Sequence, residues 1–252
     1  MMAISFVSGK QTKAQFREGA LALSSDVQSV INDVSNGIFP TASNLKCTRG
    51  APPSITTAGS GEQGSNEGCI FMGKVIQFNY LGMPENFSVY TIAGNQFAPG
   101  GDASKLSVNF AEAHPIAVAD TPDLTVSKVT SWGLQVTKVL DTSTHQSGNN
   151  CAANPGAIGF FGGLGDYSGN VEKSGAGQVT VVCLPYSYSG ASKASLASAV
   201  LSINDQDVIS GTHITLCLLG GYDQKASITI GGSNGQSLVA NLELGDNKDP
   251  AC

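Results

Sequence analysis

The chain has 252 residues, with Lys+Arg 13 against Asp+Glu 19 and a formal net charge of −6. Only 13% of its residues are charged, against about 25% in an ordinary soluble domain, and Ser, Thr, Asn and 31 glycines fill the difference. Its 41% hydrophobic content allows a buried core and excludes disorder throughout, while Arg17 and Arg49 as the only arginines, and no basic run, leave it without the counter-charge that nucleic acid or an acidic membrane surface requires.

The length suits one large β domain or two smaller units. Residues 1–7 are apolar, too short to span a bilayer, and lack the charged start and small-residue cleavage site of a secretory signal. The expectation is a chain beginning inside a longer hydrophobic segment, with Met1 as an added start. From residue 12 to 36 the apolar positions Phe16, Ala20, Leu23, Val27, Val30, Ile31, Val34 and, just beyond, Ile38 recur at three- and four-residue steps among polar ones, which predicts an amphipathic helix. Asn36-Gly37 supplies a left-handed stop, and Pro40 forbids resumption. If residues 2–7 continue this helix upstream, one N-terminal rod results, hydrophobic first and amphipathic second.

Residues 41–68, with Pro52-Pro53, five glycines and many Ser and Thr, read as a surface loop with little internal packing. Beyond Cys69, β signals dominate. Strands are expected at 71–80 and 87–93, joined as a hairpin across 82–86, and at 106–110, 124–129, 132–140, 178–184, 213–219, 226–230 and 237–244. Residues 149–175 read as a glycine-rich excursion and 193–203 as a short helix. The expected fold is α+β: an N-terminal amphipathic α-helix packed on a predominantly antiparallel β head with long loops. Residues 1–39 form the helical segment and residues 40–252 the β-rich, disulfide-bonded head.

Six cysteines, Cys47, Cys69, Cys151, Cys183, Cys217 and Cys252, form an even set with no Cys-x-x-Cys pair. That counts against zinc and thioredoxin-like chemistry and favours disulfides in an oxidising space outside the cytoplasm. Fifteen connectivities are open. Chain proximity favours Cys47 with Cys69, Cys151 with Cys183, and Cys217 with Cys252.

Tests for chemistry return little. Residues 59–64 match G-x-G-x-x-G in letters, but neither a strand before nor a helix after is expected, so backbone N–H groups have no way to cradle a pyrophosphate. Ser168 in Gly165-Asp166-Tyr167-Ser168-Gly169 misses the nucleophile-elbow spacing by one residue. His114, His145 and His213 are far apart with no acid at ligand spacing, and Asp120/Asp123 and Asp205/Asp207 do not continue into a calcium loop. Asn86-Phe87-Ser88 is a formal glycosylation sequon. The expectation is a protein with no cofactor, no metal and no catalytic role. A secreted hydrolase would require two of His114, His145, His213, Asp166 and Asp205 in one cleft.

A helix running out of an apolar stub, a cysteine-tethered loop, then residues 69–78 (Cys-Ile-Phe-Met-Gly-Lys-Val-Ile-Gln-Phe) and 89–94 (Val-Tyr-Thr-Ile-Ala-Gly) together resemble the type IV pilin-like proteins of Saccharibacteria and related small bacteria. Residues 214–218 and 228–232 and the closing Cys252 look like the same family's tail, and residues 106–175 fit least. The resemblance implies a subunit whose hydrophobic N-terminal helix anchors it in the membrane and then packs in the core of an extracellular pilus. Its partners would be other pilin subunits and a host-cell surface, with no nucleic acid, and it would touch the membrane only through the upstream helix. Attachment or twitching motility would be its role. Such a subunit needs a seam between helix and sheet, for which Phe16, Leu23, Val27, Val30, Val34 and Ile38 are the candidates; burying each large side chain contributes about 1.5 to 3 kcal/mol. The competing reading is a stand-alone secreted adhesin or carbohydrate-binding β-domain, for which the sole tryptophan, Trp132, and 7% aromatic residues offer a sparse platform.

Overall fold

Apolar residues at three- and four-residue steps need a helix to share one face, and in the computed structural model the helix α1 (Met2–Ser35) carries the pattern from Phe16 to Val34. The structure describes residues 2–37, 45–57, 68–79, 82–98, 107, 109–117, 125–141, 156–162, 179–184, 196, 200–203, 208–209, 213–232, 238–245 and 252. The upstream stub and the amphipathic stretch are thus continuous. Termination follows the expected route: Asn36 and Gly37 N–H groups donate to the Asn32 and Val34 carbonyls at 2.9 and 3.0 Å, and Gly37 takes φ +63°, a conformation open to glycine at no steric cost.

The strands are β1 (Leu45–Thr48), β2 (Ser54–Thr57), β3 (Cys69–Phe78), β4 (Asn86–Asn95), β5 (Ile116–Ala117), β6 (Thr125–Val129), β7 (Gln135–Asp141), β8 (Ala157–Gly162), β9 (Val179–Leu184), β10 (Val208–Ile209), β11 (His213–Leu219), β12 (Lys225–Gly231) and β13 (Val239–Leu244), with a short helix α2 (Phe110–Ala113) before β5. They form a β1–β2 ribbon, a seven-stranded sheet ordered β10-β9-β8-β3-β4-β5 with β6 also on β4, and a four-stranded sheet ordered β13-β12-β11-β7. Every described pairing is antiparallel. The fold is α+β, as expected.

The main core lies where α1 meets both sheets. Phe16, Leu23, Val27, Val30, Ile31 and Val34 pack with Ile76, Phe78, Ile158 and Phe160 of the larger sheet and Val136, Ile214, Leu216 and Ile228 of the smaller. A second core covers the other face of the seven-stranded sheet, with Met72, Val75, Tyr90, Ile92, Phe110, Phe161, Val182, Leu196 and Val200. Burial on both faces explains why β3 and β4 read as nearly continuous apolar runs. Polar contacts fix the helix in place. Gln28 Oε1 accepts from the Ala240 N–H at 2.8 Å, and its Nε2 donates to the Leu238 carbonyl, so a helix side chain occupies part of the β13 edge. Lys74 Nζ meets Asp33 Oδ2 at 2.6 Å, and Lys128 pairs with Asp26.

Several expectations need correction. The segment expected as a loosely packed loop holds the β1–β2 ribbon, with a turn gripped from outside: Asn95 Nδ2 donates to the Gly50 carbonyl at 2.6 Å, its Oδ1 accepts from the Gly50 N–H, and Arg49 donates to the Ala98 carbonyl. Distant side chains supply the packing the local sequence lacks. Where a strand is expected at 106–110, residues 106 and 108 lie outside the described residues and Phe110 opens a helix instead, because Asn109 caps α2 through Glu112 N–H at 2.7 Å. β8 lies inside the expected glycine-rich excursion; a Cβ on Gly73 would strike the Phe160 carbonyl, so glycine here permits close strand approach and a bulge at Phe71/Gly73. The strand expected from Trp132 begins only at Gln135, after a 3₁₀ turn, Ser131–Gly133.

Candidate functional site

The seam residues expected from the sequence come together: Phe16, Leu23, Val27, Val30 and Val34 are all buried in the main core, and Ile38 lies outside the described residues. Two disulfides form as expected. Cys47–Cys69 ties the β1–β2 ribbon to the start of β3, and Cys217–Cys252 clasps the C-terminus onto β11, with Cα–Cα distances of 5.9 and 5.2 Å. Such bonds fit an oxidising, extracytoplasmic environment. Cys151 lies outside the described residues, so the pairing of Cys151 with Cys183 does too, as do residues 59–64, Ser168, His145, Asp166 and Asp205. His114 closes α2 in a left-handed conformation, and His213 opens β11. Among the described residues no three of His, Cys, Asp and Glu gather as a metal site. Within the sequon, Phe87 and Ser88 are buried, and Ser88 Oγ lies 2.9 Å from Ser127 Oγ.

The helix leaves the body between two unusual turns. Leu219, the last residue of β11, pairs with Lys225 on one side and Gln135 on the other. β12 and β7 therefore begin at the same end of the four-stranded sheet, and the turns entering them, Gly221–Asp223 and Ser131–Gly133, lie at that end too. In each turn an aromatic residue adopts the left-handed region: Tyr222 at φ 59°, ψ 41° and Trp132 at φ 63°, ψ 29°. Glycine or asparagine is the usual occupant of such positions, and a bulky side chain there costs about 1 to 3 kcal/mol. Neither aromatic repays that cost by full burial, since Tyr222 is 90% and Trp132 56% exposed.

Both turns close on α1. A Cβ on Gly19 would sit 2.7 Å from the Ser131 carbonyl oxygen and 3.7 Å from Trp132 Cδ1, while one on Gly220 would enter the Phe16 ring. A groove of about 510 Å³ opens beside the helix on the Tyr222 side, lined among others by Lys13, Phe16, Arg17, Lys225 and Leu244. Gln224 Oε1, also at this groove, is buried without a hydrogen-bond partner. Met83 and Val129 add exposed apolar surface near Trp132, because the β3–β4 loop is held to the chain leaving β6 by the Thr130 N–H donating to the Glu85 carbonyl at 2.7 Å. Four of the eight exposed large apolar side chains among the described residues, Met83, Val129, Trp132 and Tyr222, thus share the end at which the helix departs.

Sequence reasoning did not find this collar. A signal was present: an aromatic residue next to glycine inside a turn, in Ser131-Trp132-Gly133 and Gly220-Gly221-Tyr222-Asp223, is too large for its position unless the exposed ring has a use. The upstream part of α1 is also distinctive. None of residues 10–15 is buried, and from residue 10 onward Phe16 is the first to join the core. About 21 Å of helix, residues 2–15, therefore precedes it. No helix among the described residues is long and apolar enough to cross a membrane. Compared with known proteins, the chain matches no protein-family model, no curated protein and no solved structure.

Proposed function

We propose that this chain is a structural subunit of an extracellular filament of the type IV pilus kind, serving surface attachment or twitching motility, with no catalytic role. One observation carries the reading: a single 34-residue helix has its downstream half built into the core of a β head, while its upstream half begins with an apolar segment and contributes no buried residue from 10 to 15. A helix divided in this way can hold its own head rigidly and still offer the other half to neighbouring copies or to a membrane. The disulfides and the low-charge, hydroxyl- and amide-rich composition suit a polymer exposed outside the cell. The test is to shear surface material from cells that make the protein and to label it with an antibody against the head. Filaments decorated along their length are expected; recovery of the protein solely as soluble monomer, with filaments unchanged after gene deletion, overturns the reading.

The collar favours a second reading, a stand-alone secreted adhesin or carbohydrate-binding domain, because two exposed aromatic rings beside a groove can stack on sugar faces. Glycan-array binding by the isolated chain, together with filaments that persist without it, decides for that alternative.

A further inference from the structure

We infer that the collar around the departing helix is a docking surface for an anionic lipid bilayer, on which the head rests with Trp132 and Tyr222 at the headgroup level. The collar combines exposed Trp, Tyr, Met and Val side chains with the cations Lys13, Arg17 and Lys225, and Lys10 stands one helical turn further out. Aromatic residues with an apolar body and polar tip, interleaved with Lys and Arg, are suited to the membrane–water boundary. Three carboxylates, Glu18, Asp223 and Glu85 of the β3–β4 loop, share this end, where Lys225 Nζ also donates to the Cys252 carbonyl at 3.4 Å; Glu243 precedes groove-lining Leu244 but points to the other face of its strand. Cations outnumber them locally in a chain whose total is −6, so the whole-chain charge does not describe this face.

The choice of a bilayer over another protein follows from the helix itself. Residues 2–7 are Met-Ala-Ile-Ser-Phe-Val, and the helix carries them away from the middle of the collar. A lipid surface accepts both an apolar stub and a ring of aromatic and cationic groups around its base. The spacing closes. Val7 and Phe16 are separated by about 13 Å of helix; a headgroup layer takes up about 5 to 7 Å of that, and the remainder is within reach of Lys, Tyr and Trp side chains that extend toward the interface. The inference rests on the filament reading only in expecting this end to meet a membrane before assembly.

Because Trp132 is the sole tryptophan, its fluorescence reports the collar directly. The full chain is mixed with vesicles of phosphatidylcholine, with and without phosphatidylglycerol. With the anionic vesicles, co-sedimentation, a shift of Trp132 emission to shorter wavelength and loss of iodide quenching are expected, all weakened by salt. The Lys13→Gln/Arg17→Gln double variant should lose about 25-fold in partition, near fivefold per cation, and Tyr222→Ala should bind more weakly while keeping its fold, since the ring is almost wholly exposed. Absence of sedimentation overturns the proposal, as does sedimentation with Trp132 emission unmoved, which leaves the stub alone in the lipid. Equal partition into neutral vesicles overturns it as well. A shift of emission on raising protein concentration without lipid assigns the collar to a second copy, and a shift with soluble oligosaccharide assigns it to a glycan; either result overturns it. Vesicle binding without filaments on cells would leave this inference standing and sink the filament reading.

Discussion

Gly19→Ala sets two physical effects of opposite sign against each other. In an exposed helix interior, replacing glycine by alanine gains about 0.8 to 1.0 kcal/mol. Here the new methyl would lie 2.7 Å from the Ser131 carbonyl oxygen, about 0.7 Å inside the 3.4 Å at which ordinary contact begins. The oxygen cannot yield easily, because its turn is anchored on both sides: the Thr130 N–H donates to the Glu85 carbonyl at 2.7 Å, Thr130 Oγ1 lies against the Glu85 and Leu134 carbonyls, and the Leu134 N–H donates to Ser131 itself. Overpacking against such a backbone costs about 1 to 3 kcal/mol, and a rigid partner places it in the upper half of that range. The expected net loss is therefore about 1 to 2 kcal/mol, a fall in Tm of roughly 2 to 8 °C for a chain of this size. Urea unfolding, read as a change in midpoint at constant slope, measures it, and Trp132 emission reports the displaced turn. Ser29→Ala, on the exposed face of the same helix, serves as control and should gain about 0.5 kcal/mol. A Gly19→Ala protein more stable than its parent would refute the close approach of turn and helix.

Other substitutions probe the seam, the ion pair, the clasp and the collar. Leu23→Ala opens a cavity at a side chain only 2% exposed and should cost about 2 to 5 kcal/mol in the same unfolding assay. At the Lys74–Asp33 pair, whose side chains are 14% and 32% exposed, Asp33→Ala strands the more buried ammonium and should cost about 1 to 2 kcal/mol, whereas Lys74→Met should stay within about 0.5 kcal/mol of the parent; the order of the two variants is the check. Replacing Cys217 and Cys252 together by serine frees a closure spanning 35 residues and should cost about 3.8 kcal/mol, seen as a lower urea midpoint. Tyr222→Gly relieves a left-handed aromatic and should raise stability by about 1 kcal/mol, while vesicle partition falls; a destabilised variant would show that the ring is held by packing rather than kept for contact.

Legibility in the sequence followed the range of the interactions involved. The α1 stripe from Phe16 to Val34 was readable because helical periodicity is set by neighbours three and four positions away. The Asn36-Gly37 stop depends on local backbone sterics alone. Strands such as His213–Leu219 stood out through β-branched and apolar runs bounded by turn residues. β8 was missed because Gly159 and Gly162 look like loop residues until Gly73 and Phe160 are brought together across the sheet. β1 and β2 were missed because Arg49 and Gly50 of their turn are held by Ala98 and Asn95, contacts that bridge 45 to 49 positions. The collar was missed for the same reason: Trp132 and Tyr222 become one feature only when β7 and β12 are aligned on either side of β11.

The amino-acid order alone determined that a helix with one apolar face opens the chain and that antiparallel strands follow, and chain proximity favoured the closures Cys47–Cys69 and Cys217–Cys252 that the structure shows, since each of these is governed by local geometry or by short loop closure. Tertiary structure decided the rest. It placed the helix across two sheets so that part of it is core and part is not, covered the β13 edge with Gln28, and gathered exposed apolar and cationic side chains from turns far apart in sequence at the point where the helix departs. Those outcomes depend on which strands become neighbours, a choice made by the packing of whole faces against one another and carried by no single segment.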